Sequence, residues 1–198
     1  MIQYLIYLGI LMLIPMWAQM RVRSTYARYS EVSNSTGMTG AQTARRILDD
    51  NGLYDVTIRE VAGSLTDHYD PRDKSINLST DIYHGASIAG TAVAAHEVGH
   101  AIQDAKDYTF MRVRSALVPV ANLGSNLSYI LILAGVFLGM FQLAALGVVF
   151  FAAAVLFQIV TLPVEFDASG RALKQIVSLG IVQENERPQA KKYYLLQQ

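Results

Sequence analysis

The sequence predicts an α+β membrane protein in which a helical membrane anchor and a helical hairpin flank one small water-facing domain. Three observations carry this. The first is composition: of 198 residues, 52% are hydrophobic and 16% charged, where a soluble domain carries nearer a quarter charged residues. The second is distribution, since residues 115–164 contain no Asp, Glu, Lys, Arg or His. The third is the stretch before that gap, where short strand-like segments alternate with amphipathic helix patterns. A formal net charge of zero leaves no basic footprint for nucleic acid, and the lack of cysteine excludes disulfides and thiolate metal sites.

Residues 2–17 (IQYLIYLGILMLIPMW) are an apolar run. A secretory signal opens on positive charge and ends at small residues. This run opens on Met-Ile-Gln and is followed by Arg21, Arg23 and Arg28, so it reads as an uncleaved anchor. Trp17 then sits in the membrane interface. The uncharged residues 115–164 suit two spans of about twenty residues each. Residues 117–139 and 143–162 form a hairpin that turns at GMFQ, 139–142, and both arms must be helices because lipid satisfies no backbone groups. Gly135 and Gly139 make a small-xxx-small step for close helix approach. Eleven of the sixteen Lys and Arg lie between the first span and the hairpin, Arg112 and Arg114 abutting the second span, and five follow the third. The positive-inside rule therefore predicts N-out, C-in topology with cytoplasmic water-facing segments. The expected organisation is an anchor at 1–20, a cytoplasmic domain at 21–114, a transmembrane hairpin at 115–164 and a cytoplasmic helix and tail at 165–198.

Within the domain, residues 39–52 (TGAQTARRILDDNG) predict a helix. Thr39 and Gln42 suit a capping box, Ala44, Ile47 and Leu48 an apolar face, and Asn51-Gly52 a stop. Residues 56–61, 64–69 and 75–79 are strand candidates, the last two joined by the turn DPRD into a hairpin. Residues 87–103 predict an alanine-rich helix with Ser87 at its cap.

That helix carries HEVGH, residues 96–100. Residues four apart share a helix face, so His96 and His100 can offer two imidazoles to one metal ion. Glu97 sits one step round, where it can reach a metal-bound water without being a ligand. Zinc lowers the pKa of such a water to about 7, and a glutamate can take its proton as general base. Gly99 lets another element pack closely on the helix. A catalytic zinc needs a third protein ligand. Lys106 excludes the HExxHxxGxxH class, which needs histidine there. His68 and His84 precede the motif, and His84 reads as a capping or surface residue. The acids after it are Asp104, Asp107, Glu165, Asp167, Glu184 and Glu186. Asp104 is too near along the same helix to close a tetrahedron, and Asp167 reads as solvent-facing or as support for a ligand. Glu165, the first charge after the hairpin, starts a helical pattern at the membrane edge and can be returned beside HEVGH. Its competing reading is a carboxylate favoured by a helix N-terminus.

With HEVGH, the uncharged hairpin and PVEFDASGRAL together, the chain resembles the membrane-bound neutral zinc metallopeptidases of bacteria, the YugP type. The likeness includes GAQTARRILDDNGLYDV, LTDHYDPRDKSINLS, AAHEVGHAIQ, RSALVPVANLGS and AAVLFQIVTLPVEFDASGRAL. More distantly it resembles the HtpX and CAAX-prenyl types of membrane gluzincin. The resemblance implies a zincin-like domain, a short antiparallel sheet plus the HExxH helix, with Zn2+ bound by His96, His100 and Glu165 and Glu97 as catalytic base. It implies that LTDHYD is a rim strand that pairs with an extended peptide or protein substrate, with His68 or Tyr69 stabilising the oxyanion. It departs in one position, Ser169, where the HtpX type usually has aspartate. Family members also continue into a further apolar span, whereas this chain ends at AKKYYLLQQ, so a shortened form is expected.

The expectation is a multi-pass zinc endopeptidase of the bacterial cytoplasmic membrane, its active site facing the cytoplasm, with the lipid bilayer and a peptide substrate as partners and a regulatory partner or oligomer compatible with it. Two alternatives compete. In a site-2-type intramembrane protease, residues 82–103 would themselves span, although Ala, Gly, Ser and Thr dominate them. In a non-catalytic zinc-binding scaffold, Glu97 would have no task.

Overall fold

The computed structural model describes residues 2–183 and 186–197, and the side chains of 2–12, 14, 15, 120, 193 and 195–197 fall outside that description, as does Glu184. The chain divides into two compact units, Met1–Ile102 with Ala168–Gln198, and Gln103–Asp167. It is mostly helical with a three-stranded sheet.

The first unit opens on α1 (Ile2–Ser30), which contains the predicted anchor and runs on past Trp17, where the Arg21 guanidinium lies over the indole at 5.4 Å. Helix α2 (Gly40–Asp50) forms as the sequence predicts. Both bonds of the Thr39–Gln42 capping box are made, and Ala44, Ile47 and Leu48 are buried. The sheet is β1 (Thr57–Val61), β2 (His68–Asp70) and β3 (Ser75–Ser79), in the order β1-β3-β2. β2 and β3 pair as the expected antiparallel hairpin, but β1 runs parallel to β3, from Thr57 opposite Ser75 to Val61 opposite Ser79. The predicted antiparallel sheet is thus corrected to a mixed one, because β2 lies inside the connection and takes the antiparallel edge of β3. The predicted strand at 64–69 is likewise shorter. Leu65 has φ 58°, a left-handed conformation that no strand accommodates, so pairing starts only at His68.

β3, paired on both sides, is buried throughout and forms one wall of the core. The short helix α3 (Thr80–His84) follows it directly, and α4 (Ile88–Ala105) carries HEVGH. Ser87 caps α4, its hydroxyl accepting from Gly90 N–H at 3.0 Å. The α4 residues Ala89, Ala92, Val93, Val98 and Ile102 join Ile47, Leu48, Ile76 and Leu78 in one hydrophobic core. That core also takes in Ala172 and Ile176, together with Ala190 and Tyr194 of a C-terminal helix, α7 (Arg187–Gln197), where a tail was expected.

The second unit contains α5 (Thr109–Phe137) and the start of α6 (Phe141–Ser178). They meet at a turn where Gly139 has φ +64°, a conformation only glycine adopts at no cost. Gly139 is therefore the hairpin's tip, and the predicted Gly135–Gly139 packing step is corrected. Close approach is made instead at Gly135 against Ala144 and at Gly147 against Ile132 and Ser128. Leu123, Ile130, Leu133, Leu146, Val149 and Leu156 point outwards, an apolar exterior suited to lipid. Among the described residues α6 is long and apolar enough to cross a membrane. Thr109–Pro119 and Ala121–Phe137, bent by 41° beside Pro119, pass the same test as a pair. At 38 residues α6 is about 57 Å long, nearly twice the roughly 30 Å of a hydrocarbon core. Its charged second half must therefore stand outside any bilayer that its first half crosses.

Candidate metal centre

HEVGH lies on α4 as its spacing requires. The two imidazoles share one face, with ring centroids 4.7 Å apart and planes at 84°. His100 is buried and His96 is half-buried. Two contacts fix His96. Its Nδ1 meets Ser169 Oγ of α6 at 3.1 Å, and its ring lies 6.3 Å from that of Tyr194, whose hydroxyl donates to Ala92 O. With Nδ1 on Ser169, Nε2 is the nitrogen that would face a metal, and the serine would give the outer support that metal-binding histidines carry.

Glu97 is buried, and its Oε2 accepts the Tyr69 backbone N–H at 3.0 Å. The bond joins the edge strand β2 to the HEVGH helix. Just ahead of β2, Asp67 accepts from the N–H and the hydroxyl of Ser79. Burial pushes the Asp67 carboxyl up, the Ser79 bonds pull it down, and the Glu97 charge adds a smaller upward push. At the other end of β2 the Arg72 guanidinium forks onto Asp70 and holds its pKa down to about 2. The strand beside Glu97 is thus tied to β3 at its start by Asp67, while the Asp70–Arg72 pair closes the turn that follows it. Of the two oxyanion candidates, His68 is exposed with Nδ1 2.8 Å from Thr66 O, and Tyr69 packs its ring against the core. His84 is a surface histidine paired with Glu60, as expected.

Gly99 explains the local geometry of α4 and α6 in the first unit. A Cβ built on it would fall 2.6 Å from Ala168 O, so only glycine admits this contact. In the second unit the same two helices meet again. Gln103 of α4 donates to Val164 O and to Asp167 Oδ2 of α6, both at 2.8 Å. Glu165 stands inside α6, far from either end, so the helix-dipole reading does not apply. Arg114 of α5 pairs with it at 3.2 Å, while Arg112 pairs with Asp107. The contacts of Ser169, Gln103 and Arg114 were not foreseen, though Ser169 follows Glu165 by four residues and Gln103 follows His100 by three, both helical spacings. His96, His100 and Glu165 make a His-His-Glu group that could hold a metal ion. Two imidazoles and a carboxylate are a donor set that zinc accepts, so these residues fit that metal.

Residues 4–196 match the family described as "Putative neutral zinc metallopeptidase". The chain is also similar to a protein of Bacillus subtilis (strain 168) named "Putative membrane protease YugP". The two are 51% identical over 170 residues, 86% of this chain and 76% of that protein. No solved structure matches.

Gly99→Ala should cost about 1–3 kcal/mol, because the helices must separate to admit a methyl group. A thermal unfolding series in detergent reads this as a lowered midpoint. An unchanged midpoint would show that α6 does not rest on Gly99.

Proposed function

Because the chain belongs to the putative neutral zinc metallopeptidase family, we propose that it is a membrane-bound zinc endopeptidase of gluzincin type. In this reading His96, His100 and Glu165 hold the metal and Glu97 is the general base. The observation that carries it is the His-His-Glu donor group, together with a buried carboxylate one residue from the first histidine. The helical positions support Glu165. Ser169 reaches His96 and Ala168 reaches Gly99, while Val164 and Asp167 reach Gln103. Along α6 these contact residues, 164 and 167–169, stand on either side of Glu165, and along α4 the contact residues 96, 99 and 103 stand on either side of His100.

When bound, zinc supplies a Lewis acid that polarises the scissile carbonyl and lowers the pKa of water in its open position. The chain's own residues do the rest. Glu97 Oε1 takes a proton from the attacking water and passes it to the departing amine, while Oε2 stays on Tyr69 N–H. Ligation at Nε2 would leave the His96 Nδ1–H to donate to Ser169. Among the described residues β2 is an edge strand paired with β3, and it offers a place for an extended peptide to add as a further strand. His68 or Tyr69 on that strand stabilises the oxyanion. The active site faces the cytoplasm of a bacterial cell. The enzyme crosses the plasma membrane by α1, α5 and the first half of α6, supported by the placing of eleven Lys and Arg between the first span and the hairpin.

The site-2-type alternative needs the HEVGH helix in lipid, but α4 is a core helix of the first unit, covered by α2, β3 and α7 residues. The scaffold alternative leaves the buried Glu97 without a task.

Glu97→Gln should retain wild-type zinc content and lose about 10²–10⁴-fold in peptide cleavage, read with an unfolded protein substrate. Cleavage at the wild-type rate would refute the mechanism. Replacing the oxyanion donor, by His68→Ala or Tyr69→Phe, should lower kcat by about 10²–10³-fold at unchanged zinc content. If neither variant lowers kcat, the donor is not on β2.

A further inference from the structure

We propose that Gln103 is a positioning residue for the metal centre, fixing the turn of α6 that presents Glu165. The inference rests on the reading of Glu165 as third ligand and goes beyond it, since it says what places that ligand. The Gln103 side chain is fully buried, on α4 three residues past His100. Its Nε2 donates to two acceptors on α6, the Val164 carbonyl and the Asp167 carboxylate. These lie one residue before Glu165 and two after it, so a single amide grips the backbone and a side chain on either side of the ligand.

α6 needs such a grip at this point for two reasons. Glu165 follows a long uncharged hairpin whose close contacts, Gly135 against Ala144 and Gly147 against Ile132 and Ser128, are van der Waals contacts without direction. Packing of that kind tolerates sliding, and a slip of one turn would move Glu165 by about 5.4 Å. Pro163 also lies inside α6, two residues before Glu165. It contributes no N–H and crowds the preceding turn, so the helix is locally weakened just where the ligand must be held. Hydrogen bonds from a buried amide are directional, and losing them would strand its donors away from water. Ser169 on His96 fixes α6 one turn beyond Glu165, and Gln103 fixes it on the near side.

The test uses the full chain in detergent, stripped of metal and loaded with Co2+, whose visible spectrum reports the ligand set. Wild type is compared with Gln103→Met, Gln103→Asn and, as the reference for a missing carboxylate, Glu165→Ala. The proposal expects the Gln103→Met spectrum to move towards that of Glu165→Ala and its Co2+ affinity to fall by about 10–100-fold. Gln103→Asn, which keeps an amide one methylene short, should lie between, and it decides the matter if Gln103→Met does not fold. A residue that only stabilises the fold would lower the unfolding midpoint and leave spectrum and affinity as in wild type, and that result overturns the proposal. A Glu165→Ala spectrum identical to wild type overturns it differently, by removing Glu165 from the ligand set while leaving Gln103 variants uninterpreted as ligand effects.

Discussion

The architecture of the site depends on one steric constraint, the contact of α6 with α4 at Gly99. A helix backbone rests there against the HEVGH helix with no side chain between them. That closeness lets a hydroxyl as short as that of Ser169 reach His96. An alanine at position 99 would push the two apart and leave the short serine out of reach. Where the HtpX type usually has an aspartate, this chain supports its histidine with a neutral group. His96 is therefore oriented by a hydroxyl that brings no further carboxylate beside its neighbour Glu97.

Glu97, the proposed base, is buried, and its carboxylate accepts the Tyr69 backbone N–H. The N–H comes from an edge strand whose start is tied to β3 by Asp67 on Ser79. The base and the strand proposed to receive substrate are thus parts of one hydrogen-bonded unit. The membrane part answers a different need. A helix of about 57 Å is long enough to cross a bilayer and still carry its last turns into water, so one element can serve as span and as carrier of the proposed site residues.

Much of this was legible in the sequence, and the exceptions have physical causes. The capping box at Thr39, the hairpin turn at Gly139 and the HEVGH helix rest on local rules, and each formed where those rules put it. The parallel pairing of β1 with β3 is a long-range choice that no local pattern encodes. The strand at 64–69 was overextended because Leu65 takes a left-handed conformation that its side chain gives no reason to expect. Gly139 reads both as part of the turn and as a packing step, because a glycine at a turn and a glycine at an interface look alike in a string of apolar residues; the structure keeps only the turn. Gln103 and Ser169 belong to helical faces that were recognised, but their partners lie more than sixty residues away in sequence. α7 is hidden in the sequence because four of its apolar residues, 193–196, run together without helical spacing, and Ala190 and Tyr194 acquire meaning only within the core.

The account turns on Glu165 completing the site that His96 and His100 begin. The most direct measurement is the zinc content and affinity of the purified full chain beside Glu165→Ala, with the unfolding midpoint of each metal-free protein as a control for folding. The account predicts one tightly held zinc per chain in the first and a loss of stoichiometric zinc in the second, at a similar midpoint. Equal stoichiometry and affinity in the two proteins would contradict it.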